Sequence, residues 1–187
     1  MRVIGGSARG RKLTAFRGDN IRPTTDRVRE SLFSILTSRL GSLEGLTVLD
    51  LFAGSGALGI EALSRGAASA CFVDRARQSI ATIRRNLELC HLADRAELLQ
   101  ADSQAALSGI LRERTFDLIF MDPPYGKHAI AGLLEPIGRS QLLRKDGLIV
   151  VESGSQEDIP TTTYELQRID QRRYGSTLLS FFDRINQ

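Results

Sequence analysis

The sequence predicts an α/β protein built on a mostly parallel sheet with helices on both faces. From about Leu46 onward, strand-like and helix-like stretches alternate, a rhythm that requires crossover connections. In addition, two motif-bearing turns, Asp50–Gly59 and Asp122–Tyr125, each follow a strand-like run directly. Open α/β sheets bind their ligands at that edge.

Each element has its own signal. Met1–Phe16 is rich in glycine and arginine and reads as a short hairpin. Thr24–Leu40 reads as a helix, with Val28, Leu32, Ile35, Leu36 and Leu40 on one face and Pro23 just before its start. Thr47–Leu51 is a buried-strand pattern, and Ala57–Arg65 is helical. Ser69–Val73 is a second strand, and Arg75–Cys90 carries Ile80, Ile83, Leu87 and Leu89 at roughly helical spacing. Ala96–Ala101 is a third strand, followed by a short helix near Gln104–Leu111. Phe116–Met121 is a fourth strand, Ala129–Ile137 a helix and Gly147–Val151 a fifth strand. Thr163–Ile169 and Thr177–Phe182 look like strands with no helix between them, so an antiparallel hairpin is expected at the sheet edge. This divides the chain into a basic N-terminal extension, 1–45, and an α/β domain, 46–187.

A chain of 187 residues is long enough to bury one core, and 42% hydrophobic with 25% charged residues is an ordinary balance for a soluble protein. No apolar run is long enough to span a bilayer, and the N-terminus lacks the apolar stretch of a signal peptide. Cys71, Cys90, His91 and His128 give no metal-ligand spacing, so no metal is expected. A monomer in a reducing cytoplasm, without a membrane partner, is the expectation.

The net charge of +3 is unevenly spread. Residues 1–29 hold eight basic side chains against two acidic ones, which leaves −3 for the remainder. Such asymmetry suits contact with a polyanion and makes Arg9, Arg11, Lys12, Arg22, Arg27 and Arg29 candidate nucleic-acid ligands. A solvated basic tail is the plainer reading of the charge alone, and Arg27 and Arg29 could equally fasten their helix to the core.

Gly54, Gly56 and Gly59 satisfy G-x-G-x-x-G, and Asp74 lies 20 residues beyond Gly54. That pattern alone suggests a dinucleotide. Asp50, at the end of the first strand, opposes it because a carboxylate repels a pyrophosphate. S-adenosylmethionine has no phosphate, and its ammonium and sulfonium suit an acid there. Asp74 could accept from both ribose hydroxyls. Asp102, after the third strand, could accept from the adenine amino group or cap the following helix. The candidate cofactor contacts are Asp50, Phe52, Gly54, Ser55, Gly56, Asp74 and Asp102, with Asp122 from the next motif.

Asp122-Pro123-Pro124-Tyr125 follows the fourth strand. Prolines fix φ and remove backbone donors, so the turn can present the Asp122 carboxylate and the Pro123 carbonyl to one amino group. Tyr125 offers a flat face for an unstacked base. An exocyclic amine is a poor nucleophile because its lone pair is delocalised into the ring. Two acceptors can aim that lone pair at a sulfonium methyl and stabilise the charge that develops on nitrogen. Asp122, Pro123 and Tyr125 are therefore the candidate catalytic residues.

The sequence resembles the RsmD-type bacterial 16S rRNA guanine-N2 methyltransferases over nearly its whole length. The resemblance lies in Arg2-Val3-Ile4-Gly5-Gly6, Arg9-Gly10-Arg11-Lys12-Leu13, Arg22-Pro23-Thr24, Asp26-Arg27-Val28-Arg29-Glu30, the two motifs above and Arg173-Tyr174-Gly175. It implies a Rossmann-like class I S-adenosylmethionine-dependent fold with a seven-stranded sheet. It also implies methylation of guanine N2 in 16S rRNA, on an assembled or nearly assembled small ribosomal subunit. Adenine-N6 methylation of DNA or RNA is the principal alternative, since the same tetrapeptide serves it. A DNA enzyme usually adds a recognition module, however, and only about 60 residues follow Tyr125. Protein-glutamine methylation fits less well, because Asn usually replaces the Asp there. A noncatalytic RNA-binding module would leave the tetrapeptide without a purpose.

Overall fold

The computed structural model describes residues 1–15, 25–123 and 129–185. The first helix, α1, spans Asp26–Leu40 and is capped by Thr25, whose hydroxyl accepts from the Val28 N–H. The α/β series follows as β1 (Thr47–Asp50), α2 (Ala57–Ser64), β2 (Ser69–Asp74), α3 (Arg77–Cys90), β3 (Ala96–Gln100), α4 (Ser103–Ser108), β4 (Phe116–Met121), α5 (Ala129–Arg139) and β5 (Leu143–Gly154). Three strands close the chain: β6 (Thr162–Thr163), β7 (Leu166–Tyr174) and β8 (Thr177–Arg184).

The sheet runs β3-β2-β1-β4-β5-β8-β7-β6. The first five strands are parallel, while β8 is antiparallel to both β5 and β7. The expected class I arrangement is present, and the two-residue β6 adds an eighth strand at the edge. The chain winds from β1 outward to β3 and then returns to β4 on the other side of β1. The carboxyl ends of β1 and β4 therefore flank the switch point where the sheet opens a crevice.

Two strands depart most from the sequence reading, the other elements shifting by a few residues at their ends. The fifth strand begins at Leu143, because the Leu142 carbonyl accepts from Phe116 and draws that segment alongside β4. The strand expected at 163–169 instead runs from 166 to 174 and takes in Arg172 and Arg173. Pairing with β8 satisfies the backbone there, so exposed polar side chains do not end the strand.

Alternation along the strands sorts the core into two layers. Val48, Phe72, Phe120 and Val150 face Leu32, Phe33, Leu36, Ile60 and Ile83 of α1, α2 and α3. Leu49, Val73, Ile119 and Val151 face Ala106, Leu133, Leu134 and Ile137 of α4 and α5.

The described N-terminal residues join the first layer through Val3, Ala8 and Leu13. They form an irregular hairpin with one antiparallel bridge, Arg2 to Lys12, and Val3 N–H donates to the Arg11 carbonyl. Glu61 on α2 accepts from the backbone N–H of Ile4 at 2.7 Å and of Gly5 at 2.8 Å. The Ser64 hydroxyl accepts from Ala8 N–H and donates to the Gly5 carbonyl. Gly6 makes this approach possible. Its φ is +74°, and a Cβ there would lie 1.8 Å from the Ser64 carbonyl oxygen.

Candidate active site

The β1 end and the loop after it are held from both sides. Leu51 N–H donates to the Phe120 carbonyl of β4, and Ala53 N–H to the Val73 carbonyl of β2. Gly54 (φ +52°) and Gly56 (φ +79°) take left-handed conformations that turn the chain into α2. Gly59 serves packing: a Cβ there would lie 2.3 Å from the Phe72 ring. Phe52 is partly buried against the α4–α5 layer.

Asp50 lies under this loop, 2% exposed, and its Oδ2 accepts from the Gly59 N–H at 3.2 Å. Burial pushes its carboxyl up to about 7, with the Asp74 charge adding and the Gly59 bond opposing. Asp74 Oδ2 accepts from Gly54 N–H at 2.9 Å and Oδ1 from Ala76 N–H at 2.8 Å. A carboxylate oxygen has two lone pairs, so both retain capacity for a ligand hydroxyl. Asp102 is the N-cap of α4, with Oδ1 accepting from Gln104 and Ala105 N–H. Of its two readings, the cap is the one that hydrogen bonds support. Beside it, the Ser103 hydroxyl donates to the Leu51 carbonyl at 2.7 Å.

Asp122 and Pro123 follow β4 directly. Asp122 is partly buried, and Pro123 is buried. Pro124 and Tyr125 lie outside the described residues, as do Arg17 and Arg22. The Asp122 carboxyl is pushed well above the usual range, chiefly by burial, then by the charges of Glu152 and Asp50. Those neighbours follow from strand alternation. Asp50, Asp74 and Glu152 share the parity of Val48, Phe72 and Val150, and Asp122 continues that of Phe120. Four adjacent strands thus bring one acid each to the carboxyl edge, on the face covered by α1–α3. A cluster of carboxylates suits a cationic ligand and would repel a pyrophosphate, so the residues present fit S-adenosylmethionine. Among the described residues no group of His, Cys, Asp or Glu could hold a metal ion.

Asn86 and Glu152 belong to no motif. Asn86 on α3 is fully buried, and its Nδ2 donates to the Ser55 carbonyl at 2.8 Å and to the Thr14 carbonyl at 3.0 Å. Its Oδ1 accepts from Thr14 N–H at 2.8 Å. The one sequence signal was a polar residue beside Ile83 and Leu87 on the helix's buried side.

The basic candidates separate. Arg9, Arg11, Lys12 and Arg27 are exposed, and Arg11 also donates to the Leu89 carbonyl at 2.7 Å. Arg29 is corrected by the structure: it is 1% exposed and donates to the Arg2 carbonyl and to Asp26 Oδ1. Its guanidinium is enclosed and fastens the hairpin to α1, so it cannot meet RNA at the surface.

The chain matches the family model described as "Conserved hypothetical protein 95" over residues 1–183. It is 42% identical over 183 residues to "Putative rRNA methyltransferase YlbH" of Bacillus subtilis, covering 97% of this chain and 98% of that one. It is 35% identical over 161 residues to ribosomal RNA small subunit methyltransferase D of Escherichia coli K12, covering 86% of this chain and 78% of that one. Among solved structures, "Putative methyltransferase yhhF" from Escherichia coli superposes with a TM-score of 0.84 at 32% identity, over 100% of this chain and 99% of that one. Shared sequence over most of both chains, together with the doubly wound sheet and its acid-lined switch point, places the chain in the RsmD-type methyltransferase family.

Proposed function

We propose that the protein transfers a methyl group from S-adenosylmethionine to the N2 amine of a guanine in 16S rRNA, within an assembled or nearly assembled small ribosomal subunit. The observation that carries this reading is the position of Asp122 at the switch point, across from Asp50 and the glycine-rich turn. Methyl transfer to rRNA is the coarser part and draws support from the activities named for the relatives. Guanine N2 is the finer part, and it rests on the chemistry of the tetrapeptide and on the sequence resemblance.

When bound, S-adenosylmethionine supplies an electrophilic methyl group on a positively charged sulfur. Gly54 and Gly56 let the backbone approach the ligand closely, and Asp74 has lone pairs for ribose hydroxyls. The buried carboxylate of Asp50 favours a positive group nearby. Asp122 and the Pro123 carbonyl accept the amino hydrogens of the base and orient its lone pair. As nitrogen gains positive charge, the same two acceptors stabilise it. The methylated amine is then strongly acidic and loses a proton to solvent, so Asp122 acts by position and charge and need not serve as the base. Asp122 can accept from both guanine N1–H and N2–H, whereas adenine N1 is itself an acceptor. Arg9, Arg11, Lys12 and Arg27 would hold the RNA backbone from the hairpin and the start of α1.

The deciding experiment incubates the protein with methyl-labelled cofactor and undermethylated small subunits, then digests the RNA and identifies the labelled nucleoside. N2-methylguanosine is expected. N6-methyladenosine would replace this reading with the adenine alternative.

A further inference from the structure

The basic surface of this protein extends past the N-terminal segment that holds its excess charge. Several arginines elsewhere among the described residues are neutralised by acids, as in Arg39 with Asp170, Arg65 with Glu61, Arg114 with Glu97 and Arg144 with Asp117. On α3 and the two residues leading into it they are not. Arg75, Arg77, Arg84 and Arg85 are exposed and have no hydrogen-bond or ion-pair partner among the described residues. The helix itself contains one acid, Glu88. Arg77 and Arg84 are seven residues apart, which puts them on one face about 10 Å from each other, with Arg85 beside the second.

This face joins the hairpin. Asn86, between Arg85 and Leu87, grips Thr14 through both its backbone N–H and its carbonyl. Arg11 reaches the Leu89 carbonyl at the far end of the helix. At the near end, Arg75 immediately follows Asp74, the acid that holds the glycine-rich turn. The unpaired cations therefore extend from the catalytic edge of the sheet along α3 to the hairpin. Unpaired guanidinium groups on a fixed, exposed helix suit phosphates, and counterion release favours their binding.

We propose that the exposed face of α3, through Arg75, Arg77, Arg84 and Arg85, is a phosphate-binding track that holds a second stretch of the substrate RNA backbone. The proposal rests on the RNA-methylation reading above. It adds an RNA-facing surface outside the N-terminal segment, and the track fixes register without reading sequence.

The test replaces these arginines with glutamine as R75Q/R77Q, as R84Q/R85Q and as all four, with R112Q/K145Q as a control. Arg112 and Lys145 are likewise exposed and unpaired among the described residues but lie at the opposite, amino edge of the sheet, Arg112 just before β4 and Lys145 near the start of β5. Binding to undermethylated small subunits is titrated across salt concentration, alongside methyl transfer and cofactor affinity. The slope of log affinity against log salt should fall by roughly 1 for each phosphate that is no longer neutralised, hence by roughly 2 to 4 in the quadruple variant. The KM for subunits should rise at least tenfold, while cofactor affinity stays within twofold. The control should keep the parent's slope. If the quadruple variant fails to fold, the two double variants carry the same test at half the effect. A parent-like slope in the α3 variants, or an equal fall in the control, overturns the track while leaving the methylation reading standing. Absence of RNA methylation by the parent itself overturns both.

Discussion

The side-chain amide of Asn86 donates to the carbonyl of Ser55 at 2.8 Å and, with its second hydrogen, to that of Thr14 at 3.0 Å. One fully buried side chain thus joins the N-terminal segment to the loop that turns toward the cofactor. The arm that carries the basic residues and the turn that shapes the candidate cofactor pocket are fixed by the same group.

Removing that group should be costly. Asn86→Leu leaves the Thr14 N–H, the Thr14 carbonyl and the Ser55 carbonyl without their partner, a loss of about 2–4 kcal/mol. Thermal unfolding should show a clearly lower Tm, and calorimetry a weaker cofactor affinity. A parent-like affinity in the folded variant would show that the Ser55 bond does not shape the pocket.

For Asp122→Ala the expectation is different: methyl transfer falls by at least about 100-fold while cofactor affinity stays within a few-fold. Single-turnover rates beside equilibrium cofactor binding measure the two separately. Because burial and Glu152 raise the parent's carboxyl, its transfer rate should climb with pH as Asp122 ionises and becomes a full acceptor. An unchanged rate in the variant would remove Asp122 from the mechanism.

Asp50 gives a sign-definite pH effect on stability. Its folded-state carboxyl lies near 7 against an ordinary value of 3.8, so between those values the native state binds a proton that the unfolded chain has released. Stability of the free protein should therefore fall as pH rises from about 4 to about 7, by at most on the order of 4 kcal/mol from this group. Asp50→Asn should flatten part of that fall and raise Tm at pH 8 by several degrees, as read by calorimetric scans across pH. Asp122 is raised in the same direction and should account for a further part.

Two glycines of the hairpin should respond differently to alanine. At Gly6 the new Cβ meets the Ser64 carbonyl oxygen at 1.8 Å, so the hairpin must shift on α2, at a cost of roughly 3 kcal/mol. At Gly10, with φ +83° and nothing within 4 Å, only the backbone term of about 1 kcal/mol applies. Denaturant midpoints of G6A and G10A compare the two directly.

Charge removal at Arg9, Arg11 and Lys12 together should weaken binding to small subunits and flatten its salt dependence by roughly 2 to 3 in slope. A titration with the parent's slope would discard the hairpin as an RNA-binding element.

The alternation of strands and helices, the glycine-rich turn after β1 and the Asp122 turn after β4 could all be read from the sequence. These are local signals: hydrophobic period, turn chemistry and order along the chain settle them. Distant contacts decided the rest. Arg29 reads as one more cation in a basic stretch, yet it is enclosed beneath Arg2 because the hairpin folds over α1. Asn86 and Glu152 belong to no motif and gain their places only when α3 packs under the hairpin and β5 lines up beside β4. Strand order and side-chain alternation gather Asp50, Asp74, Asp122 and Glu152 on one face. Sequence determined which chemistry the chain carries, because motif residues lie close together along it. Tertiary structure decided which charges are buried, paired or left free, because burial and pairing depend on neighbours many residues away.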